Sequence, residues 1–239
     1  MKAVIEARGL TKKFGPLAAV NNTTFSVSKG ELFGLLGANG SGKTTMIKML
    51  TGQIKPTRGK ASVLGLDVLK DPIGVRAAIG VMPEQENPPS FLTAEEYLHF
   101  AGSIRRMEKK KIKERCDEWF KRLRFQDQRT VLCKDLSRGT RQKLMFAQCF
   151  MHEPEMVFID EPLINLDPVI QKKVKDYLRQ YTLRGGTVFF STHVLEIAEE
   201  ICTSIGVLDQ GKLIYQGKMN PLLKKRKRLE SFFLELVGG

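Results

Sequence analysis

The first third of the chain alternates short apolar stretches with Gly, Pro and Asn, which reads as strands and turns. Strands are predicted at residues 3–7, 24–27, 32–36, 61–64 and 79–81. The proline-bearing segment Glu86-Asn87-Pro88-Pro89-Ser90 breaks this pattern. From about residue 93 to 150 the sequence is charged and helix-favouring, and carries Trp119 without any β-rich run. Beyond it, apolar runs at 156–159, 187–190 and 204–208 alternate with helical segments at 168–183 and 194–202. Strands alternating with helices predict a parallel sheet covered on both faces. The turn Asp209-Gln210-Gly211-Lys212 then leads into 213–216 as a hairpin. The whole reads as an α/β core interrupted by a helical insertion, with no internal repeat.

Between the strand at 32–36 and a helix running to Leu50 lies Gly37-Ala38-Asn39-Gly40-Ser41-Gly42-Lys43-Thr44. This run fits the phosphate-cradling pattern G-x-x-x-x-G-K-[ST] at every fixed position, in the strand–loop–helix context that the pattern needs. Glycines let the loop turn tightly, so that successive backbone N–H groups converge on phosphate oxygens. The helix start adds its own free N–H groups and positive dipole end, which Thr45 shares. Lys43 is placed to reach the β- and γ-phosphates, and the Thr44 hydroxyl to hold Mg²⁺. The sequence therefore predicts a nucleoside triphosphate site.

Three further elements carry chemistry. Met156-Val157-Phe158-Ile159-Asp160-Glu161 is an apolar strand ending in two carboxylates, weak alone but strong beside a phosphate loop. An acid at such a strand end holds Mg²⁺, and a second one just beyond orients or deprotonates water. Leu136-Ser137-Arg138-Gly139-Thr140 offers a capped helix start with a close-approach glycine, either an ordinary cap or a second anion site. Ser191-Thr192-His193 puts a histidine at the carboxyl end of a core strand, the edge where nucleotides sit in open α/β sheets, although in isolation a solvated or capping histidine is the better reading.

Composition narrows the class. No apolar run is long enough to span a bilayer, and residues 1–10 lack the continuous apolar stretch of a secretory leader. Cys116, Cys133, Cys149 and Cys202 are widely spaced, which favours buried free thiols over disulfides or zinc. His99, His152 and His193 form no ligand cluster either. The net charge of +13 concentrates in residues 94–145 and in Lys224-Lys225-Arg226-Lys227-Arg228. Basic blocks of this kind suit anionic lipid, nucleic acid or an acidic protein face, and the block at 94–145 reads equally as a solvated face without a partner.

In their order along essentially the whole chain, these elements resemble the nucleotide-binding subunit of ABC transporters. That resemblance implies an ABC ATPase fold: a P-loop NTPase core with an N-terminal antiparallel β-subdomain and an inserted α-helical subdomain at about 90–150. It makes residues 1–220 the ATPase domain and 221–239 a short basic extension. It further implies ATP and Mg²⁺ as ligands, Asp160 and Thr44 toward the metal, Glu161 as the catalytic glutamate, and His193 as the switch histidine on the γ-phosphate. Residues 136–140 stand in place of the LSGGQ signature, with Arg138 and Thr140 where Gly and Gln are commonest. Within Leu163-Ile164-Asn165-Leu166-Asp167, Asp167 matches the D-loop aspartate. Glu84 falls on the Q-loop position with Gln85 beside it, and either stands as the sensor. Phe14 falls where an aromatic stacks on adenine, with a core aromatic as the alternative. The implied assembly is a sandwich of two ATP-binding chains, expected to be a homodimer, docked through the helical insertion to a separate permease at the cytoplasmic face of the membrane. The insertion and the ending Leu229-Glu230-Ser231-Phe232-Phe233-Leu234-Glu235-Leu236 are most similar to ABC-2 type exporters. A soluble ABC ATPase acting on nucleic acid is the competing reading; it is disfavoured because such proteins carry paired domains or large inserted arms.

Overall fold

A computed structural model describes residues 2–85, 87–225 and 228–238. Two long strands, β1 (Ala3–Phe14) and β2 (Leu17–Ser28), form a hairpin. β3 (Leu32–Leu36) enters the interior and is followed by α1 (Lys43–Leu50). β4 (Arg58–Val63) and β5 (Leu66–Asp67) return to the hairpin, giving a four-stranded antiparallel sheet in the order β2-β1-β4-β5. The sequence pattern predicted only the inner parts of β1 and β2. Their outer ends carry Lys12, Lys13, Asn21 and Asn22, so apolar content falls while pairing continues to the Phe14–Leu17 turn.

After α2 (Pro72–Ala78), which the pattern did not predict, comes β6 (Ile79–Met82). α2 is marked by chemistry rather than periodicity: Asp71 caps it, accepting the Gly74 N–H at 2.8 Å, and Pro72 opens it. Among the described residues, the regular elements between β6 and β7 are all helical: α3 (Ala94–Ile104), α4 (Lys109–Arg122), two 3₁₀ turns and α5 (Arg138–Phe150). Thr93 and Glu96 form a reciprocal capping box at the start of α3.

β7 (Met156–Asp160), α6 (Pro168–Leu183), β8 (Thr187–Thr192), α7 (Leu195–Ile201), β9 (Ser204–Asp209) and β10 (Lys212–Lys218) complete the core. Its six-stranded sheet runs β10-β9-β3-β8-β7-β6, parallel throughout except for the hairpin strand β10. α8 (Met219–Lys225) and α9 (Leu229–Val237) follow, with Leu229 and Phe232 buried and Phe232 edge-on to Tyr215. Of the basic run at 224–228, Arg226 and Lys227 lie outside the described residues.

The continuous apolar runs of the central strands follow from burial on both faces. Phe33, Leu35, Phe158 and Phe189 point toward α1 and the antiparallel sheet. Leu32, Leu36, Val157, Ile159, Val188 and Phe190 point toward the helices on the other side. There Trp119 of α4 packs against Phe146 and Phe150 of α5 and Tyr177 of α6, fastening the helical insertion to the core. All four cysteines are buried and unpaired, and burial pushes the Cys116 thiol up to about 12.

Candidate functional site

Parallel strands deliver their carboxyl ends to one edge, and β3, β8 and β7 are adjacent there. Leu36 is paired with Thr192, and Ser191 with Asp160. The loops that follow these strands therefore meet, although residues 37–44, 160–161 and 193 are far apart in sequence.

The loop after β3 can be made only with glycine at critical points. Gly42 has φ +106° and packs so closely that a Cβ would run into the Ala19 carbonyl. A Cβ on Gly37 would run into the Leu208 carbonyl and the Ser41 side chain. Gly42 is also the N-cap of α1, whose first turn holds no acidic residue and has no side-chain cap, so its N–H groups remain available for an anion. The buried Ser41 hydroxyl has no hydrogen-bond partner among the described residues. Lys43 is 7% exposed and donates to Gly37 O at 2.8 Å and Ala38 O at 3.1 Å. Burial lowers its pKa, while the nearby carboxylates of Glu161, Asp160 and Glu84 oppose that shift.

A cleft of about 380 Å³ opens over this loop. Asn39, Gly40, Gly42, Lys43, Thr44 and Thr45 line one side, Glu84, Asp160 and Glu161 another, and Phe14, Leu17 and Ala19 the rim. Phe14 is 51% exposed with the Lys12 ammonium 5.0 Å from its ring centre, so it is not a core aromatic. Of the two residues left open after β6, Glu84 lines this cleft, whereas Gln85 lines a neighbouring depression with Thr44 and Lys48.

The two acids are held differently. Asp160 is buried at the end of β7 and accepts a hydrogen bond from the Ser191 hydroxyl. Glu161 leaves the strand with φ +51°, a left-handed conformation rare outside glycine, and its N–H donates to Ser191 O at 3.1 Å. Its Oε2 accepts from Thr192 Oγ1 at 3.0 Å, and its Oε1 accepts from the His193 main-chain N–H at 2.9 Å. His193 Nδ1 lies 2.8 Å from the same Oε1, which selects the tautomer with the proton on Nδ1 and leaves Nε2 for a second partner. The hydroxyls of Ser191 and Thr192, which the sequence reading did not single out, bond to the two acids. The available signal was two hydroxyls on the strand next to a paired-acid strand end.

A hydroxyl (Thr44) and carboxylates (Asp160, Glu84) around a glycine cradle form an oxygen-only donor set suited to Mg²⁺.

Ser137, Arg138, Gly139 and Thr140 do not line this cleft. Ser137 caps α5, its Oγ accepting the Thr140 N–H at 3.2 Å and lying 2.9 Å from Thr140 Oγ1. Asp167 caps α6 by accepting the Ile170 N–H at 3.0 Å.

Residues 20–164, more than half of the chain, match the ABC transporter family. The chain is 33% identical over 243 residues to the Nod factor export ATP-binding protein I of Rhizobium sp. (strain N33), covering 100% of this chain and 78% of that protein. Among solved structures, an ATP binding subunit of an ABC transporter superposes with a TM-score of 0.91 at 27% identity, covering 98% of this chain and 99% of that one. The dimeric structure of MJ0796, a bacterial ABC transporter cassette, shares the fold with a TM-score of 0.84 at 24% identity, over 90% of this chain and 98% of that one. The match to the family, which takes in the phosphate loop and the strand end bearing Asp160 and Glu161, leads to one conclusion: this chain belongs to the ABC transporter family, as one of its ATP-binding and ATP-hydrolysing subunits.

Proposed function

We propose that this subunit hydrolyses MgATP in the cleft at the carboxyl ends of β3, β7 and β8, as half of a two-chain sandwich. The observation that carries the reading is the convergence of Lys43, Asp160, Glu161 and His193 on one edge of the sheet. The amides of residues 37–45 and the Lys43 ammonium take the phosphate oxygens, where their charge counts most as the γ-phosphoryl departs. Thr44 and Asp160 would hold Mg²⁺, which would supply charge neutralisation to the phosphates. Glu161 takes a proton from the attacking water, and Thr192 and His193 fix its carboxylate for that purpose. With Nδ1 spent on Glu161, His193 offers Nε2 toward the γ-phosphate. Phe14 stacks on the base from the rim, and Glu84 is the residue that senses the occupied cleft.

Ser137, Arg138, Gly139 and Thr140 stand outside the cleft of their own chain, which supports a role on ATP held by a second copy. The MJ0796 cassette, which has the same fold, is dimeric, and this supports a two-chain assembly. Asp167 is then read as the D-loop aspartate at the junction of the two chains. The name "ATP binding subunit" of the solved relative supports a transporter whose permease is a separate polypeptide. The subunit then sits on the cytoplasmic face of the membrane, docked through its helical insertion, with the basic residues of 224–228 toward anionic lipid. Replacing Lys43 with Ala tests the reading: phosphate release at saturating MgATP should fall on the order of 10²-fold or more. Near-normal turnover would overturn it.

A further inference from the structure

Gln142 is 1% exposed, a polar side chain sealed inside the protein two residues beyond the signature segment on α5. Both ends of its carboxamide are used, and both reach the loop between β7 and α6. Nε2 donates to the Glu161 carbonyl at 3.3 Å, and Oε1 accepts the Asn165 N–H at 3.2 Å. The same helix start crowds that loop at a second point, since a Cβ on Gly139 would stand 2.8 Å from the Asn165 carbonyl. From the other side Gln171 of α6 donates to the carbonyls of Leu163, at 2.9 Å, and Leu166, at 3.1 Å. Two glutamines thus span the loop, and only Gln142 touches the residue whose backbone is strained.

We infer that Gln142 is a positioning residue for hydrolysis, tying the signature segment to the Glu161 turn of the same chain. A left-handed glutamate is retained only where its surroundings hold it. The Ser191 carbonyl fixes the Glu161 N–H, and the Gln142 amide fixes the Glu161 carbonyl. Together they set the plane from which the carboxylate reaches Thr192 and His193. The inference rests on the reading of Glu161 as the group that activates water. It also links two sites: in a sandwich, each chain's signature closes on its partner's nucleotide. A shift of α5 on that nucleotide is then transmitted through one carboxamide to the Glu161 serving the chain's own nucleotide.

The test compares full-length Gln142→Met, which keeps the packing and removes both hydrogen bonds, with Gln142→Glu, which keeps only the acceptor for Asn165. Both should bind fluorescent ATP within about twofold of the parent, because the phosphate loop is untouched. Both should lose kcat by between about 10- and 100-fold, the scale set by misplacing a reacting group by an ångström. KM should change little. In a Glu161→Gln background, Gln142→Met should cause no further loss of residual turnover, because a residue acting through Glu161 has nothing left to position. Parent-like kcat in both variants, with Glu161→Gln inactive, overturns the inference alone. A full additional loss in the double variant overturns it as well, by showing that Gln142 acts elsewhere. Normal turnover by Glu161→Gln itself would instead remove the underlying reading. If Gln142→Met does not fold, Gln142→Glu carries the same comparison.

Discussion

Exchanging Glu161 for Gln replaces one oxygen by an NH₂ group without changing the side chain's shape, so its effects on folding and on chemistry can be worked out separately. The carboxylate accepts from Thr192 Oγ1 on Oε2 and from two His193 nitrogens on Oε1. A glutamine keeps its oxygen toward His193. Its NH₂ then faces the Thr192 hydroxyl, which can accept as readily as donate. The bonds survive in neutral form, at roughly half the strength of charge-assisted ones. The loss of stability is on the order of 1–2 kcal/mol, offset in part by relief of repulsion from the adjacent buried Asp160. For a chain of this size that lowers Tm by about 2–8 °C. The chemistry suffers far more, because an amide has no useful basicity. Loss of a general base costs about 10²–10⁴ in rate, or roughly 3–5 kcal/mol in the barrier. The assay is initial phosphate release at saturating MgATP, run beside a thermal melt and a fluorescent-nucleotide titration. The expected variant melts near the parent, binds ATP, accumulates as an ATP-bound dimer on size exclusion, and scarcely turns over. A kcat within tenfold of the parent refutes Glu161 as the base and moves attention to Glu84, which lines the same cleft.

Mixing a Lys43→Ala chain with a Ser137→Arg chain should restore turnover to two inactive proteins, because the mixed dimer holds one complete site. Ser137 also caps α5, so the Arg variant is expected to lose about 1 kcal/mol of stability, and its melt must be checked first. No recovery from mixed dimers shown to form argues against a signature acting across the interface. Neutralising the five basic residues of 224–228 should weaken binding to anionic vesicles while sparing hydrolysis, with an effect that shrinks as salt rises. Preference for RNA or duplex DNA over such vesicles at equal ionic strength would count against the membrane assignment.

How far the site could be read from the sequence depended on whether its residues are contiguous. The phosphate loop is local, and Gly37, Gly42, Lys43 and Thr44 announce it by spacing alone. Asp160, Glu161 and His193 lie at the ends of apolar runs, a weak signal alone, and are legible only through their order after the phosphate loop and the family resemblance that order carries. The hydroxyls of Ser191 and Thr192 are aimed by strand pairing, which spacing does not encode. Gln142 looked like one more polar residue on an amphipathic helix, since nothing in sequence separates an inward carboxamide from an outward one. Phe14 reads as an adenine-stacking residue with the core as the alternative until its exposure is known, and the positions of Glu84 and Gln85 depend on which way the chain turns after β6. Long β1 and β2 were foreshortened in the reading because pairing outlasts hydrophobicity at their hairpin end.

The Lys43 ammonium donates to the carbonyls of Gly37 and Ala38, which uses two of its three N–H donors and leaves one for a ligand. The two carbonyls also hold the long side chain in one extended arrangement. The rotamer freedom that a lysine ordinarily loses on engaging a ligand, up to about 2 kcal/mol, is therefore already lost when the chain folds. The loop carries its cation as a preset part of the fold, and a ligand has only the last donor to meet.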